Sequence, residues 1–392
     1  AAVLRPEEYI ERVDAALTRA VERQMLADVP LGAFLSGGTD SSLVVAYMQK
    51  ASTQRVKTFS IGFEEREYDE SPFAREVASR LGTEHTELIV SGRDCLQVVP
   101  KLPDIYDEPF ADSSQIPTYL VCSLARRSVT VALSGDGGDE LFAGYGRYAV
   151  ALSKWRTLQK LPAAFRNSGS ALVETLSPRA LHLAAQPAAL IWGRHRSEAL
   201  VERLHNRSSR WRARTAREFY RAGLRRWHVR HTPVLGASAQ RADDRFPRKA
   251  DDLKQLMHFD ICEYLPDDIL VKVDRAAMAV SLETRVPLLD VEVALAAWSI
   301  PSAVLRKDGR GKWVLRQLLQ RHVPLELIDR PKKGFAVPLA KWLRGELRPW
   351  AAELLDPNRV RQEGYVDSVQ VQRRWQQHLS GRANWAPQLW NI

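Results

Sequence analysis

Three features predict an α/β protein, with a parallel sheet covered by helices and a largely helical C-terminal half. Short apolar runs alternate with helical patterns over residues 31–133, a glycine-rich turn follows the first run, and no convincing strand signal appears beyond about residue 141. Strands joined through helices imply crossover connections, hence parallel strands buried on both faces.

The chain opens on an amphipathic helix from Pro6 to Asp28, with Ile10, Val13, Leu17, Val21 and Met25 on one face. Pro30 stops it, and Leu31 to Leu35 reads as the first strand. A helix over Ser41 to Lys50 leads to a second strand, Arg55 to Ile61, ending at Gly62. Glu70 to Leu81 reads as helix, Glu84 to Val90 as a third strand, and Ser91 to Val99 as a short helix. Ser114 to Arg127 is helical again, and Val129 to Leu133 is a fourth, buried strand. The remainder reads as helices broken at Pro162, Pro178, Pro187, Pro233 and Pro247.

With 392 residues the chain can bury a sizeable core and hold two or more domains. Its best apolar window, Ala180 to Trp192, is broken by His182, Gln186 and Pro187, far short of a membrane span. No basic-then-apolar signal pattern opens the chain, so a cytoplasmic location is the expectation. Cys95, Cys122 and Cys262 are widely spaced, which argues against a disulfide framework and a zinc site. The net charge of +10 comes largely from a dozen arginines between Trp192 and Arg230. Arg203, Arg207, Arg210, Arg214, Arg217 and Arg221 recur at spacings of four and three, which would make one stripe along a helix. A solvated or domain-covered face is the first reading, and a polyanion site, such as one for RNA, is the second, because no aromatic-rich nucleic-acid motif accompanies the stripe.

The chemistry centres on Ser36-Gly37-Gly38-Thr39-Asp40-Ser41-Ser42, between the first strand and its helix. Glycines let the backbone approach a phosphate, and a helix start offers unpaired N–H groups and a positive dipole end. Ser41 and Ser42 can cap the helix or donate to phosphate oxygens. A carboxylate inside a phosphate cradle repels its ligand unless a cation bridges them, so Asp40 reads as a Mg²⁺ ligand. A second loop, Ser134-Gly135-Asp136-Gly137-Gly138-Asp139-Glu140, follows the fourth strand, where open α/β sheets bind ligands. Alone, such a loop is a turn as readily as a site. Together the two could hold one nucleotide from both sides, with Asp40 and Asp139 sharing a Mg²⁺ between phosphates.

The first loop has no G-x-x-x-x-G-K-[ST] and resembles the pyrophosphate loop of ATP-dependent adenylating enzymes, in an adenine nucleotide alpha hydrolase-like fold. Taken with the second loop through Gly144-Tyr145, with Leu282-Glu283-Thr284-Arg285-Val286-Pro287-Leu288-Leu289-Asp290, and with Arg330-Pro331-Lys332-Lys333-Gly334-Phe335, the chain resembles asparagine synthetase of the glutamine-hydrolysing type. The resemblance implies a C–N ligase that activates the side chain of aspartate with MgATP, forms β-aspartyl-AMP and pyrophosphate, and lets ammonia displace AMP. It further implies that Leu35 and Ile61 flank the adenine, that Ser36, Gly37, Gly38, Ser41 and Ser42 hold the pyrophosphate, and that Ser134 and Gly135 contact the nucleotide. Asp136 stands where the family carries Glu or Asp, a position tied to the adenylate step or to ammonia attack. Glu283 is a candidate acid or base and Lys332 a candidate to stabilise developing charge. Two plainer readings stay open: a Glu283–Arg285 ion pair, and a solvated Lys332–Lys333 pair.

Glutamine-hydrolysing relatives carry an N-terminal glutaminase whose nucleophile is the first cysteine, whereas residue 1 here is Ala. The expectation is a synthetase half with residues 1–28 leading in from a missing glutaminase domain, an ATP-pyrophosphatase domain over 29–345 with a helical basic segment at 150–260, and a helical tail over 346–392. Such a chain would take free ammonia in place of glutamine, and a homodimer stays open. Relatives with the same loops include β-lactam synthetases and lasso-peptide cyclases; the acidic residue at 136 fits the asparagine branch better than the β-lactam branch, which has Tyr there. Another carboxylate-adenylating enzyme, acting on a peptide amine for example, remains the alternative. Asp112, Ser113, Ser114 and Lys272 to Arg275 are the nearby candidates for recognising aspartate.

Overall fold

A computed structural model describes residues 4–65, 67–175, 208, 210–227, 232–237, 250–328 and 337–392. The chain forms two compact units, Ala1–Gly146 with Met257–Val337, and Arg147–Leu256 with Pro338–Ile392. Against the expected boundaries at residues 28 and 345, it therefore crosses between units after residues 146, 256 and 337.

The first unit is built on a five-stranded parallel sheet: β1 (Leu31–Phe34), β2 (Lys57–Phe63), β3 (Glu84–Val90), β4 (Val131–Leu133) and β5 (Glu283–Arg285), in the order β3-β2-β1-β4-β5. β1 lies at the centre, with Gly32 opposite Lys57 on one side and Ala132 on the other. Helix α1 (Pro6–Gln24) buries Ile10, Val13, Leu17 and Val21, as its apolar face predicts, but stops four residues short of Asp28 with Met25 as its C-cap. Its polar flank is tied to the chain near β5: Arg19 reaches Glu292 at 2.7 Å and Arg23 reaches Asp290 at 2.9 Å. Helix α2 (Thr39–Ala51) starts two residues earlier than expected, which places Asp40 in its first turn, where an acid complements the dipole. Helix α3 (Ser71–Leu81) packs on β2 and β3, and the Gln115–Arg126 helix packs on β2.

β5 corrects the expectation that no strand follows residue 141. It pairs with β4 from Val131↔Glu283 to Leu133↔Arg285, and Ser134 donates from its N–H to the Arg285 carbonyl at 2.8 Å. Three residues, all polar, carry no period-two alternation for sequence reading to detect. Their pairing is set by the apolar residue before them, Leu282, which is buried.

His85 on β3 supplies a pH test of this sheet. Its Nδ1 lies 2.9 Å from the Thr58 hydroxyl and its Nε2 3.1 Å from that of Ser60, both on β2. Burial pushes its pKa below the ordinary value. The unfolded chain then takes up the proton first, so this contribution to stability is present above about pH 6.5 and is lost as pH falls through the lower folded value. Urea midpoints measured from pH 7.5 to 5.5 are expected to fall less steeply for His85→Asn than for the unaltered chain; equal slopes would remove His85 from the acid response.

In the second unit, helices surround aromatic side chains. Trp155 packs on Phe219 with ring centroids 5.9 Å apart, the Arg166 guanidinium lies over Trp155, and Arg374 lies over both Trp227 and Trp385. The arginine stripe does not form on one helix. The chain turns at residues 212–215, and the Thr215 hydroxyl caps a new helix, Ala216–Leu224, by accepting from the Glu218 N–H. Arg210 falls before that break and donates to the Gly223 carbonyl at 3.1 Å, while Arg203 and Arg207 lie outside the described residues. The spacing predicted a stripe because periodicity is blind to a capping threonine inside an arginine-rich run. No helix among the described residues is long and apolar enough to cross a membrane.

Candidate active site

The two glycine loops end adjacent strands, β1 and β4, at the point where strand order reverses. Gly37 has φ +68°, which turns the first loop into α2, and the Ser36 and Ser41 hydroxyls brace the turn at 3.0 Å. In the second loop the Ser134 hydroxyl donates to Asp136 at 2.8 Å. Gly135 is where the loops touch: a Cβ there would lie 2.5 Å from the Ser41 nitrogen. Gly135→Ala is therefore expected to force the loops apart, costing about 1–3 kcal/mol of stability and raising the KM for ATP sharply. Denaturant midpoints and ATP titrations check this, and a variant with unchanged ATP affinity would show that the contact does not shape the nucleotide site.

Above the loops opens a cleft of about 930 Å³, bounded by both loops, by Asp112, Ser114 and Lys272, and by the segment from Arg306 to Arg316. Its size falls in the range of small-molecule sites. Of the residues singled out from sequence, Leu35, Ser36, Gly37, Gly38, Asp40, Ser41, Ser134, Gly135, Asp136 and Asp139 line it. Ile61 lies in an adjoining recess with Leu35 and Ser36. Ser42 is fully buried on α2 and does not line the cleft.

Glu283 is not brought there either. It begins β5, at the end of the parallel sheet opposite the loops, where it is exposed and accepts from the Arg285 guanidinium at 2.6 Å. Of its two readings the geometry supports the ion pair. Lys332 lies outside the described residues.

The residue that sequence reading missed is Lys312. Its ammonium lies 2.5 Å from Asp40 and 2.7 Å from Asp139, so a single cation already sits between the two expected metal ligands. Lys312 is buried and left-handed (φ +58°), and its N–H is held by the Phe142 carbonyl at 2.9 Å. Such strain in a side-chain-bearing residue persists only where the surroundings impose it. The signal that could have found it is the string Asp308-Gly309-Arg310-Gly311-Lys312, where cations alternate with glycines as in a phosphate-binding loop. Glu140 and Tyr145 were passed over too: the Tyr145 hydroxyl donates to Glu140 at 2.5 Å, and burial pushes the Glu140 carboxyl up to about 7.

The donor set fits a Mg²⁺ ion. Among the described residues no cluster of three or more His, Cys, Asp or Glu could hold a metal. Two aspartates beside a phosphate cradle are what Mg²⁺ uses when substrate phosphates supply the remaining oxygens.

Two glycine loops meeting at the switch point of a parallel sheet are a feature of the α/β ligand-binding class of folds, to which the pyrophosphate-loop enzymes belong. Within that class the chain belongs to the asparagine synthase family, whose match covers residues 12–392. It is 31% identical over 388 residues to asparagine synthetase [glutamine-hydrolyzing] 1 of Bacillus subtilis, covering 98% of this chain and 58% of that protein. A putative asparagine synthetase [glutamine-hydrolyzing] of Mycobacterium tuberculosis is 34% identical over 387 residues, covering 97% of this chain and 56% of that protein. A shorter stretch, 169 residues and 42% of this chain, is 45% identical to putative asparagine synthetase [glutamine-hydrolyzing] 2 of Methanocaldococcus jannaschii, of which it covers 32%. The chain thus spans a little over half the length of the first two relatives.

Proposed function

We propose that this chain forms an amide by activating the side-chain carboxylate of aspartate with MgATP and passing the acyl group to ammonia, giving asparagine, AMP and pyrophosphate. The observation that carries the reading is the pair of touching loops with Asp40 and Asp139 facing one another across Lys312. Cleavage between the α- and β-phosphates loads negative charge on the departing pyrophosphate. The start of α2 at Thr39, with its positive dipole end at the edge of the cleft, would stabilise that charge. Arg306, Arg310 and Arg316 add cationic groups to the cleft lining. A bound Mg²⁺ would be held by Asp40 and Asp139 and would neutralise phosphate charge. Leu35 would cover the adenine, with Ile61 behind it. Asp136, which accepts from the Ser134 hydroxyl and lines the cleft, would take the proton that ammonia must lose on attack. The β-aspartyl-AMP intermediate follows from cleavage at that bond.

The test is pyrophosphate release that requires ATP, Mg²⁺ and aspartate, and that ammonium sustains over many turnovers with asparagine formed in equal amount. ADP and phosphate as products would reject the reading, and pyrophosphate release with another carboxylate in place of aspartate would move it to a different amide.

A further inference from the structure

From the pairing of Lys272 with Asp112 we infer that these two residues bind the α-amino-acid head of the substrate, Lys272 its α-carboxylate and Asp112 its α-ammonium. The inference rests on the function proposed above and names its specificity-determining residues.

The two come from distant parts of the chain. Asp112 precedes the Gln115–Arg126 helix, and Lys272 lies in the first turn of the Val271–Met278 helix, which packs against it. The Lys272 ammonium reaches the Asp112 carboxylate at 2.8 Å, and both line the cleft. Each is fixed from behind. Asp112 accepts from the Ser114 N–H at 3.0 Å and from its hydroxyl at 2.7 Å, and the Lys272 carbonyl accepts from the Tyr106 hydroxyl at 3.2 Å. A π-helical stretch, Asp260–Leu270, leads into Lys272 and contributes Tyr264 and Ile269 to the same cleft.

The count of donors and acceptors points to a ligand. An ammonium has three donors, and among the described residues Lys272 directs one to Asp112. A carboxylate has about four acceptor positions, and Asp112 fills three, leaving one on Oδ1. What remains is two cationic donors beside one anionic acceptor, the mirror image of an amino-acid zwitterion. Burial alone would discharge both groups. Each is instead held charged by its neighbours: the Asp112 carboxyl lies below its ordinary range and the Lys272 ammonium above. Asp136 of the second loop is near enough to act on the Lys272 charge, so the head would be held beside the loop that contacts the nucleotide. A substrate gripped by its α-groups leaves its side-chain carboxylate to reach the phosphate.

Calorimetry with a non-hydrolysable ATP analogue bound reads this without requiring turnover. Lys272→Met is expected to weaken aspartate about tenfold or more while the analogue's affinity stays within about twofold. Succinate, which lacks the ammonium, is expected to bind the unaltered chain far more weakly than aspartate, and Asp112→Asn to narrow that gap. Because a lone buried carboxylate destabilises, the double variant Lys272→Met with Asp112→Asn removes both charges and keeps the fold testable. Unchanged aspartate affinity in either folded variant, equal loss of aspartate and analogue, or no aspartate binding by the unaltered chain would overturn the inference. Pyrophosphate release by the unaltered chain is measured separately: its failure alongside normal aspartate binding rejects the reaction and leaves the amino-acid site standing.

Discussion

Asp40→Asn will abolish pyrophosphate release, a fall of at least about a thousandfold, while the chain stays folded. The side chain keeps its size, but the site loses a charged oxygen at the position where metal and phosphates meet. From the sequence alone this substitution reads as neutral for stability, since removing one acid beside a phosphate site relieves repulsion. The Lys312 ammonium changes that expectation. Asp40 is paired at 2.5 Å, so the neutral amide gives up a charge-assisted bond, and a modest loss on the order of 1 kcal/mol follows, because Asp139 still holds the same lysine. Mg²⁺-dependent pyrophosphate release and denaturant midpoints measure the two effects separately. Near-normal turnover would remove Asp40 from the metal site.

That revision shows where sequence reading stops. β1 and the loop after it were legible because the run Leu31 to Leu35, the glycines and the helix start are adjacent in the chain, and local order is what pattern reading detects. The second loop was legible for the same reason. What escaped was assembled across distance: Lys312 against Asp40, 272 residues apart, and the pairing, though not the candidacy, of Lys272 and Asp112, 160 residues apart. Neither lysine sits in an apolar pattern, and each takes its meaning from its partner. Glu283 shows the opposite case. Its string carries a family resemblance, yet the residue spends its side chain on Arg285 at the far end of the sheet. The motif marks the strand that completes the sheet, and its Glu283 does not line the cleft.

Replacing Lys312 with methionine is expected to be the most destabilising single change in the first unit's cleft. The ammonium and both carboxylates are nearly excluded from water, with side-chain exposures of 10%, 11% and 13% for Lys312, Asp40 and Asp139. Removing one member of a buried ionic group costs about 3–5 kcal/mol, because the remaining charges lose their counter-ion and cannot recover full hydration. Here two like charges would be left facing each other. The methionine stem keeps most of the aliphatic packing, so the loss reports on charge more than on volume. Lys312→Gly separates the remaining possibility, backbone conformation: glycine accepts the left-handed φ without strain, so if strain dominated, this variant would gain stability, and if charge dominates it will lose as methionine does. Mg²⁺ supplies the second readout. In the unaltered chain the ion must compete with the ammonium for the two aspartates; in Lys312→Met it meets no such competitor and is expected to raise the thermal midpoint more than in the unaltered chain. Activity should fall with the missing cation even where Mg²⁺ restores the fold. A variant as stable as the unaltered chain, with the same response to Mg²⁺, would show that the ammonium does not hold the place between the two aspartates.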